Sequence, residues 1–512
     1  MNGFLFRIFR NSGVVLLLGS WPSHAEYQQL MVDILSDMAK SCSFALWEYE
    51  VPISKLYILN LDPLKSLLAP LYSSIGRPST NQPEIFRSLV LMNDLGLSLE
   101  KWLPKLAKNL LLQAACGFRG KLPDVASYYD FINRIIKLDE KPRRVKRKRR
   151  KPKEKLGKEK LPPKRPGIVR KLVDQILKGR RLNLRPERLL QEILARVCVD
   201  SSVALGLVDR LISVSGDGTC IRTGASPYGV RRCECRNNNV YNCDCPRSFS
   251  DPNATWGWDS HNERWFYGYT GYFISTYNAA EKLDLPLYLR IVDAKRHDSI
   301  SAVVALAEFR DLYPEFCIDA FMSDSASDNY ATYELLDQWG INAVIALNST
   351  RSGNRKYPEI LRINDNGVPI CPSGHEMVYG GFCGKDRCRL KWRCPRVCGK
   401  CESGEACLSC SPSPYGRVIY TKPQWDLRLF TKIPRGSRRF KIKMKERTAA
   451  ERVNNRILHH YGLEISKVRG KKRISFLATV AAFNIHLDAQ LSKLKELGFF
   501  DFASVFGLKF AA

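Results

Sequence analysis

At 512 residues, with 45% apolar and 26% charged content, the chain can bury several cores, which excludes a wholly disordered protein. Its charge is unusual: 81 Lys and Arg against 51 Asp and Glu leave a net +30, and a surface this positive implies a polyanionic partner, DNA or RNA before an anionic membrane. No stretch holds 18 uninterrupted apolar residues, so no membrane span is expected.

In chain order, residues 1–60 read as an amino-terminal extension. Arg7 and Arg10 precede a short apolar run from Gly13 to Gly19, and Ser23-His24-Ala25 resembles a cleavage site. A secretory leader and a start codon set upstream of a true start at Met31 both account for this segment. The basic charge favours the second, hence a cytoplasmic protein whose 17 cysteines are free thiols or metal ligands.

Residues 61–140 carry a helical pattern. Asn81 can cap a helix with Pro83 and Glu84 in its first turn and Ile85, Phe86, Leu89, Val90 and Met92 on one face, ended by Gly96. A second helix from Ser98 is expected to bend at Pro104, and a third runs through Val125, Tyr128, Phe131, Ile132 and Ile135. Three such helices suit a small DNA-binding bundle, or one that merely packs on the next domain. Residues 141–166 form a basic linker: from 141 to 165, fifteen Lys or Arg stand against two Glu, with four prolines. Its densest run, Lys146, Arg147, Lys148, Arg149 and Arg150, is a candidate for DNA-backbone contact without base reading, the alternative being a plain spacer.

After a helical connector (167–208), strands are expected at Leu211–Gly216, Trp265–Tyr277, Leu287–Val292, Cys317–Ser323 and Ile341–Leu347, with helices at Ser299–Leu312 and Asn329–Trp339. That order suits an α/β fold, a mixed sheet flanked by helices, over 209–347 and 435–497. Residues 348–434, rich in Cys, Gly, Arg and Pro, read as an insertion. Helices resume at Lys445–Tyr461 and Ser475–Leu497, before a tail at 498–512.

Three acids stand where rigid elements would present them. Asp217 follows a buried strand between small neighbours, Asp324 ends the strand Cys317–Ser323, and Glu451 shares a helix face with Arg447 and Asn455. Carboxylates so arranged suit hard divalent cations, and phosphoryl transfer between DNA oxygens needs two of them roughly 3.5–4 Å apart. Each acid could equally be a cap or an ion-pair partner, and Asp251, Asp293, Asp298 and Asp328 compete on the same logic. Cys398, Cys401, Cys407 and Cys410 form two knuckles of zinc-ligand spacing. Cys371, His375, Cys383, Cys388 and Cys394 could supply another site, and Cys233, Cys235, Cys243 and Cys245, with Cys220 close by, a third.

These segments resemble the bacterial insertion-sequence transposases of the DDE class. Ser215-Gly216-Asp217-Gly218-Thr219 is similar to that family's first-acid strand, and Met322-Ser323-Asp324-Ser325-Ala326 with Asn329-Tyr330-Ala331-Thr332 to its second. Arg447-Thr448-Ala449-Ala450-Glu451-Arg452 is similar to its Arg, three residues, Glu signature, and His297-Asp298-Ser299 to a frequent turn. Gly76-Arg77-Pro78 and the helices after it resemble its amino-terminal domain. The chain departs from the signature at Met444, where a Tyr is frequent, and at Leu458, where a basic residue is.

The resemblance implies an RNase H-like catalytic domain with a Cys-rich insertion, behind an all-α amino-terminal domain. It implies Mg²⁺ or Mn²⁺ held by Asp217, Asp324 and Glu451, with Arg447, Arg452 and Arg456 on DNA phosphates. The partners implied are double-stranded DNA, as terminal inverted repeats and target, and a second copy of the chain. Two other readings stay open: a non-catalytic zinc-dependent DNA-binding protein derived from such an enzyme, and a nuclease of the same fold.

Overall fold

The computed structural model describes residues 16–137, 144–145, 167–182, 185, 187–260, 262–348, 362–384, 387–402, 410–464 and 466–508. Helix α1 (His24–Glu48) starts at a complete capping box, Ser23 bonding the Glu26 N–H while the Glu26 carboxylate takes the Ser23 N–H. It buries Tyr27, Met31 and Leu35, spaced four apart. Next come α2 (Glu50–Ile58), α3 (Asp62–Leu68), α4 (Gln82–Asp94), α5 (Leu99–Lys108), α6 (Leu110–Cys116) and α7 (Val125–Ile136). Asn81 stands at the N-cap of α4, but in a left-handed conformation (φ 63°) with no side-chain cap bond. Pro104 lies inside α5, and the break comes at Asn109, whose side chain caps α6 through the Leu112 N–H.

After α8 (Ile168–Leu177) and α9 (Arg188–Leu194), which continues helically to Ala204, six strands form one mixed sheet. They are β1 (Leu211–Arg222), β2 (Thr255–Asp259), β3 (Arg264–Asn278), β4 (Leu283–Asp293), β5 (Cys317–Ser323) and β6 (Asn342–Ile345). The order is β6-β5-β1-β3; β2 and β4 both pair with β3. β5 is parallel to β1 and β6, whereas β2, β3 and β4 join by antiparallel ladders. Every residue of β3 from Phe266 to Thr276 is buried, as a strand covered on both faces requires. Helices α10 (Asp298–Leu312) and α11 (Tyr330–Gln338) follow the expected positions within a residue. β1 runs six residues beyond the expected end because β3 pairs with it as far as Arg222, which puts Asp217 mid-strand.

β7 (Val378–Cys383), β8 (Arg389–Arg393) and β9 (Val418–Thr421) form a separate antiparallel sheet over a small core of its own. The chain returns through α12 (Arg438–Glu446), α13 (Thr448–Asn455) and α14 (Lys471–Glu496). Among the described residues α14 alone is long and apolar enough to cross a membrane, but most of it is buried between the amino-terminal helices and β4. On it His486 bridges Ser202 Oγ and the Pro286 carbonyl, each at 2.8 Å, and burial pushes its imidazole down to about 4. One continuous apolar cluster runs from Trp21 to Leu508 through both helical layers and the sheet.

Candidate metal and nucleic-acid site

Asp217 and Asp324 end side by side because their strands are parallel neighbours. Met322 pairs with Ser215, so two residues further on each strand the acids reach the same level. Asp324 caps the short turn Ser325–Ser327, accepting the Ala326 N–H at 3.1 Å. Asp217 accepts a 2.8 Å bond from Asn454 Nδ2 on α13. Successive residues of a strand face opposite sides, so Gly216 and Gly218 face away from α13, towards α10.

The glycines do not leave empty space. A Cβ at Gly218 would stand 2.5 Å from Asp298 Oδ1, and one at Gly216 would stand 2.3 Å from the Tyr272 hydroxyl. Asp298, the first residue of α10, therefore lies against the strand that carries Asp217. Asp298 is the one rival acid the structure brings to this place. Asp328 is buried in an ion pair with Arg428, and buried Asp251 accepts from Thr223, Tyr269 and the Gly470 N–H.

The electrostatics follow from crowding. Burial, then Asp324, then Asp298 push the Asp217 carboxyl up to about 7, against the pull of Arg447. Burial and Asp324 push Asp298 up to about 6. Glu451 adds a weaker repulsion on Asp217; its side chain is 49% exposed and bonded to Arg447 Nη2 at 2.6 Å. Three polar atoms here are buried without a hydrogen-bond partner: Asn454 Oδ1, Arg447 Nε and the Tyr272 hydroxyl.

Asn454 and Tyr272 were missed in the sequence. Asn454 lies three residues after Glu451, the other helical spacing besides the four that singles out Asn455. Tyr272 pairs with Gly218 in register, and a Gly-x-Gly strand opposite an aromatic is a signal in principle. Arg452 and Arg456 lie elsewhere. Arg452 forms a two-pronged pair with Asp284, Nε to Oδ2 at 2.5 Å and Nη2 to Oδ1 at 2.7 Å, and Arg456 reaches Asp488 at 3.4 Å. Lys146, Arg147, Lys148, Arg149 and Arg150 lie outside the described residues.

The cysteines divide differently from their spacing. The thiols of Cys233, Cys235, Cys243 and Cys245 lie within 4.8 Å of one another, the sole such group of possible ligands among the described residues. Cys233–Cys243 and Cys235–Cys245 are each 3.5 Å apart, close to the roughly 3.8 Å that tetrahedral zinc with 2.3 Å bonds imposes. The Cys235 N–H and the Cys243 thiol hold the Cys233 thiol down at about 7, while hydrogen-bonded neighbours push Cys235 up to about 12 and Cys245 upward, so one thiolate forms first in the metal-free cluster. These four could hold a structural zinc. The loop is pinned by Arg247–Ser248, which pairs with Val230–Arg231 on one side and with Arg144–Val145 of the linker on the other. Cys398, Cys401 and Cys410 form no comparable group, and Cys407 lies outside the described residues; Cys371, Cys394, Cys401 and Cys410 line a cavity of about 20 Å³.

Zinc analysis checks this directly. Cys235→Ser is expected to lower the zinc content of purified protein by one ion per chain, with the loop around residues 231–247 becoming protease-sensitive. Unchanged zinc would remove the site.

A family model described as "Transposase domain (DUF772)" matches residues 52–134, from α2 to α7. It supports a transposase-like, DNA-binding function for the chain. No curated protein matches the chain.

Proposed function

We propose that the protein is a DDE transposase that binds the ends of an insertion sequence, cleaves them with Mg²⁺ or Mn²⁺, and joins the freed ends to target DNA. The observation that carries this reading is the mutual repulsion of Asp217, Asp324 and Asp298 around the two central parallel strands β1 and β5, with the Glu451 helix laid against β1. The transposase-domain match on the amino-terminal helices supports it independently. So does the order of elements: the three long antiparallel strands β1, β3 and β4 with the short β2 between the first two, then helix, strand, helix, strand in one mixed sheet, as an RNase H-like domain with an added strand would have.

The donors fit a hard divalent cation. The carboxylates of Asp217, Asp298 and Asp324 repel one another without three of them converging as the four cysteine thiols do, and Asn454 Oδ1 and the Tyr272 hydroxyl add neutral oxygens without partners. Bound there, the cation would neutralise developing charge and activate the attacking hydroxyl. Asp217 and Asp324 would hold it, Glu451 would complete the set, and Asn454 would fix the Asp217 carboxylate through the 2.8 Å bond. Arg447, whose Nε has no partner, would take a phosphate oxygen beside the scissile bond. Water and a DNA 3′-hydroxyl are equivalent nucleophiles for such a centre, so cutting and joining would share it.

The linker and amino-terminal helices would bind the terminal inverted repeats, and cutting both ends requires two chains on DNA. Incubation with labelled element ends and Mg²⁺ tests the reading: nicked and joined products are expected. Binding without nicking would leave the non-catalytic DNA-binding protein, and nicking without joining the nuclease.

A further inference from the structure

Glu451 is the acid of the expected set that sits least well. Its side chain is half exposed and engaged by Arg447, whereas Asp298 is half-buried with its carboxylate packed against Gly218 on the strand that carries Asp217. Asp298 is held there by construction. It opens α10, where carboxylates are favoured by the helix dipole, and Gly218 supplies the space its carboxylate occupies. The loop before it is fixed as well, since the Lys295 N–H reaches Thr255 Oγ1 and a Cβ at Gly257 would meet the Ala294 carbonyl at 2.6 Å.

An acid cluster alone would signify little. Here Tyr272, 1% exposed, sends its hydroxyl to Gly216, two residues along the same face of β1 from the Gly218 that Asp298 meets. That hydroxyl lies beside Ser323 without a well-formed hydrogen bond and feels Asp298, Asp217 and Asp324 together. A buried hydroxyl left unmatched is destabilising, and repelling carboxylates add to that cost. A cation resolves both.

We propose that Asp298 is a fourth acid of the centre, holding a divalent cation together with Asp324, with the Tyr272 hydroxyl directed at the same cation. The proposal rests on the transposase reading for the use of the cation, but not for its binding. Asp298 acts on the α10 side of β1, and Asn454 and Glu451 on the other.

The test is Mn²⁺ titration of the full-length, zinc-loaded, DNA-free protein, read by the loss of the free-ion paramagnetic signal and by melting temperature. Asp298→Asn, which keeps the shape and removes the charge, is expected to lose one bound Mn²⁺ or to weaken it at least tenfold. Tyr272→Phe should weaken it a few-fold at unchanged stoichiometry, and Asp293→Asn, at the end of β4, should bind as the wild type does. If Asp298→Asn does not fold, Gly218→Ala displaces the carboxylate without removing it, and the same loss is expected. Wild-type stoichiometry and affinity in the folded Asp298 variant, or in Gly218→Ala when that variant replaces it, overturns the proposal. A wild-type chain that binds Mn²⁺ through Asp298 but never nicks element ends would overturn the transposase reading and support this one.

Discussion

Asp217→Asn is expected to abolish Mg²⁺-dependent cleavage, by about a thousandfold or more, the scale of loss when a preorganised charge-stabilising group is removed. The same change should stabilise the metal-free fold. The carboxyl rises from an ordinary 3.8 to about 7 because burial and the Asp324 and Asp298 charges disfavour ionisation, and each unit corresponds to about 1.4 kcal/mol. A folded-state value above the unfolded one means the folded protein holds the proton more tightly. Metal-free protein therefore loses stability as pH rises from about 4 to about 7 and levels off beyond. Asp217→Asn should flatten that slope, and melting curves at pH 5 and pH 8, with and without Mg²⁺, measure it. Cleavage should have the opposite dependence. Below about 7 the proton competes with the cation for Asp217, so the midpoint of the activity profile should move to lower pH as Mg²⁺ increases.

Arg428→Met should carry the largest stability cost outside that centre. Arg428 is 4% exposed and Asp328 fully buried; Nε reaches Oδ1 at 2.9 Å and Nη2 reaches Oδ2 at 2.8 Å. Arg428 also donates to the Asn348 carbonyl, while Asp328 takes bonds from the Tyr333 hydroxyl and the Asn348 N–H. The pair thus fastens the chain leaving the Cys-rich segment to the turn after β5. Removing one member leaves the other charge buried and unpaired, at a cost of about 3–5 kcal/mol. Urea unfolding should record that loss for Arg428→Met, and Arg428→Met with Asp328→Asn should recover part of it.

Asp328 also shows where sequence stops. It competes with Asp298 and Asp324 by every rule of spacing, and only the fold separates them: Asp328 meets an arginine a hundred residues away, whereas Asp298 meets other acids. Local signals were sufficient for single elements. Cys317–Ser323 is bounded as expected because a compact apolar run ends at a polar turn. β2 was not legible, since Trp256-Gly257-Trp258 reads as loop until β3 is there to pair with it. Helix α1 was not read, because the leader-like run before it drew Ser23-His24-Ala25 into a cleavage-site pattern, although the Ser23/Glu26 box and the spacing of Tyr27, Met31 and Leu35 carried the signal.

The acids themselves show the same limit. Asp217 and Asp324 could be placed because each follows a strand whose partner is a neighbour in the sheet. Asn454 and Tyr272 contribute only through long-range geometry, a helix laid against one face of β1 and a tyrosine hydroxyl filling the space beside Gly216 on the other. The cysteines show it too. Spacing alone does not rank the groups: the four thiols that converge among the described residues are those of the β1–β2 loop, pinned by its own short strands, while Cys407 of the Cys398–Cys410 knuckles lies outside the described residues.

The most direct measurement is Mg²⁺-dependent processing of a labelled element end by the wild-type, Asp217→Asn, Asp324→Asn and Arg452→Ala chains, at matched DNA binding. Nicked and joined products from the wild type and Arg452→Ala, and none from the two aspartate variants, are predicted. Undiminished cleavage by either aspartate variant would contradict the placement of the centre.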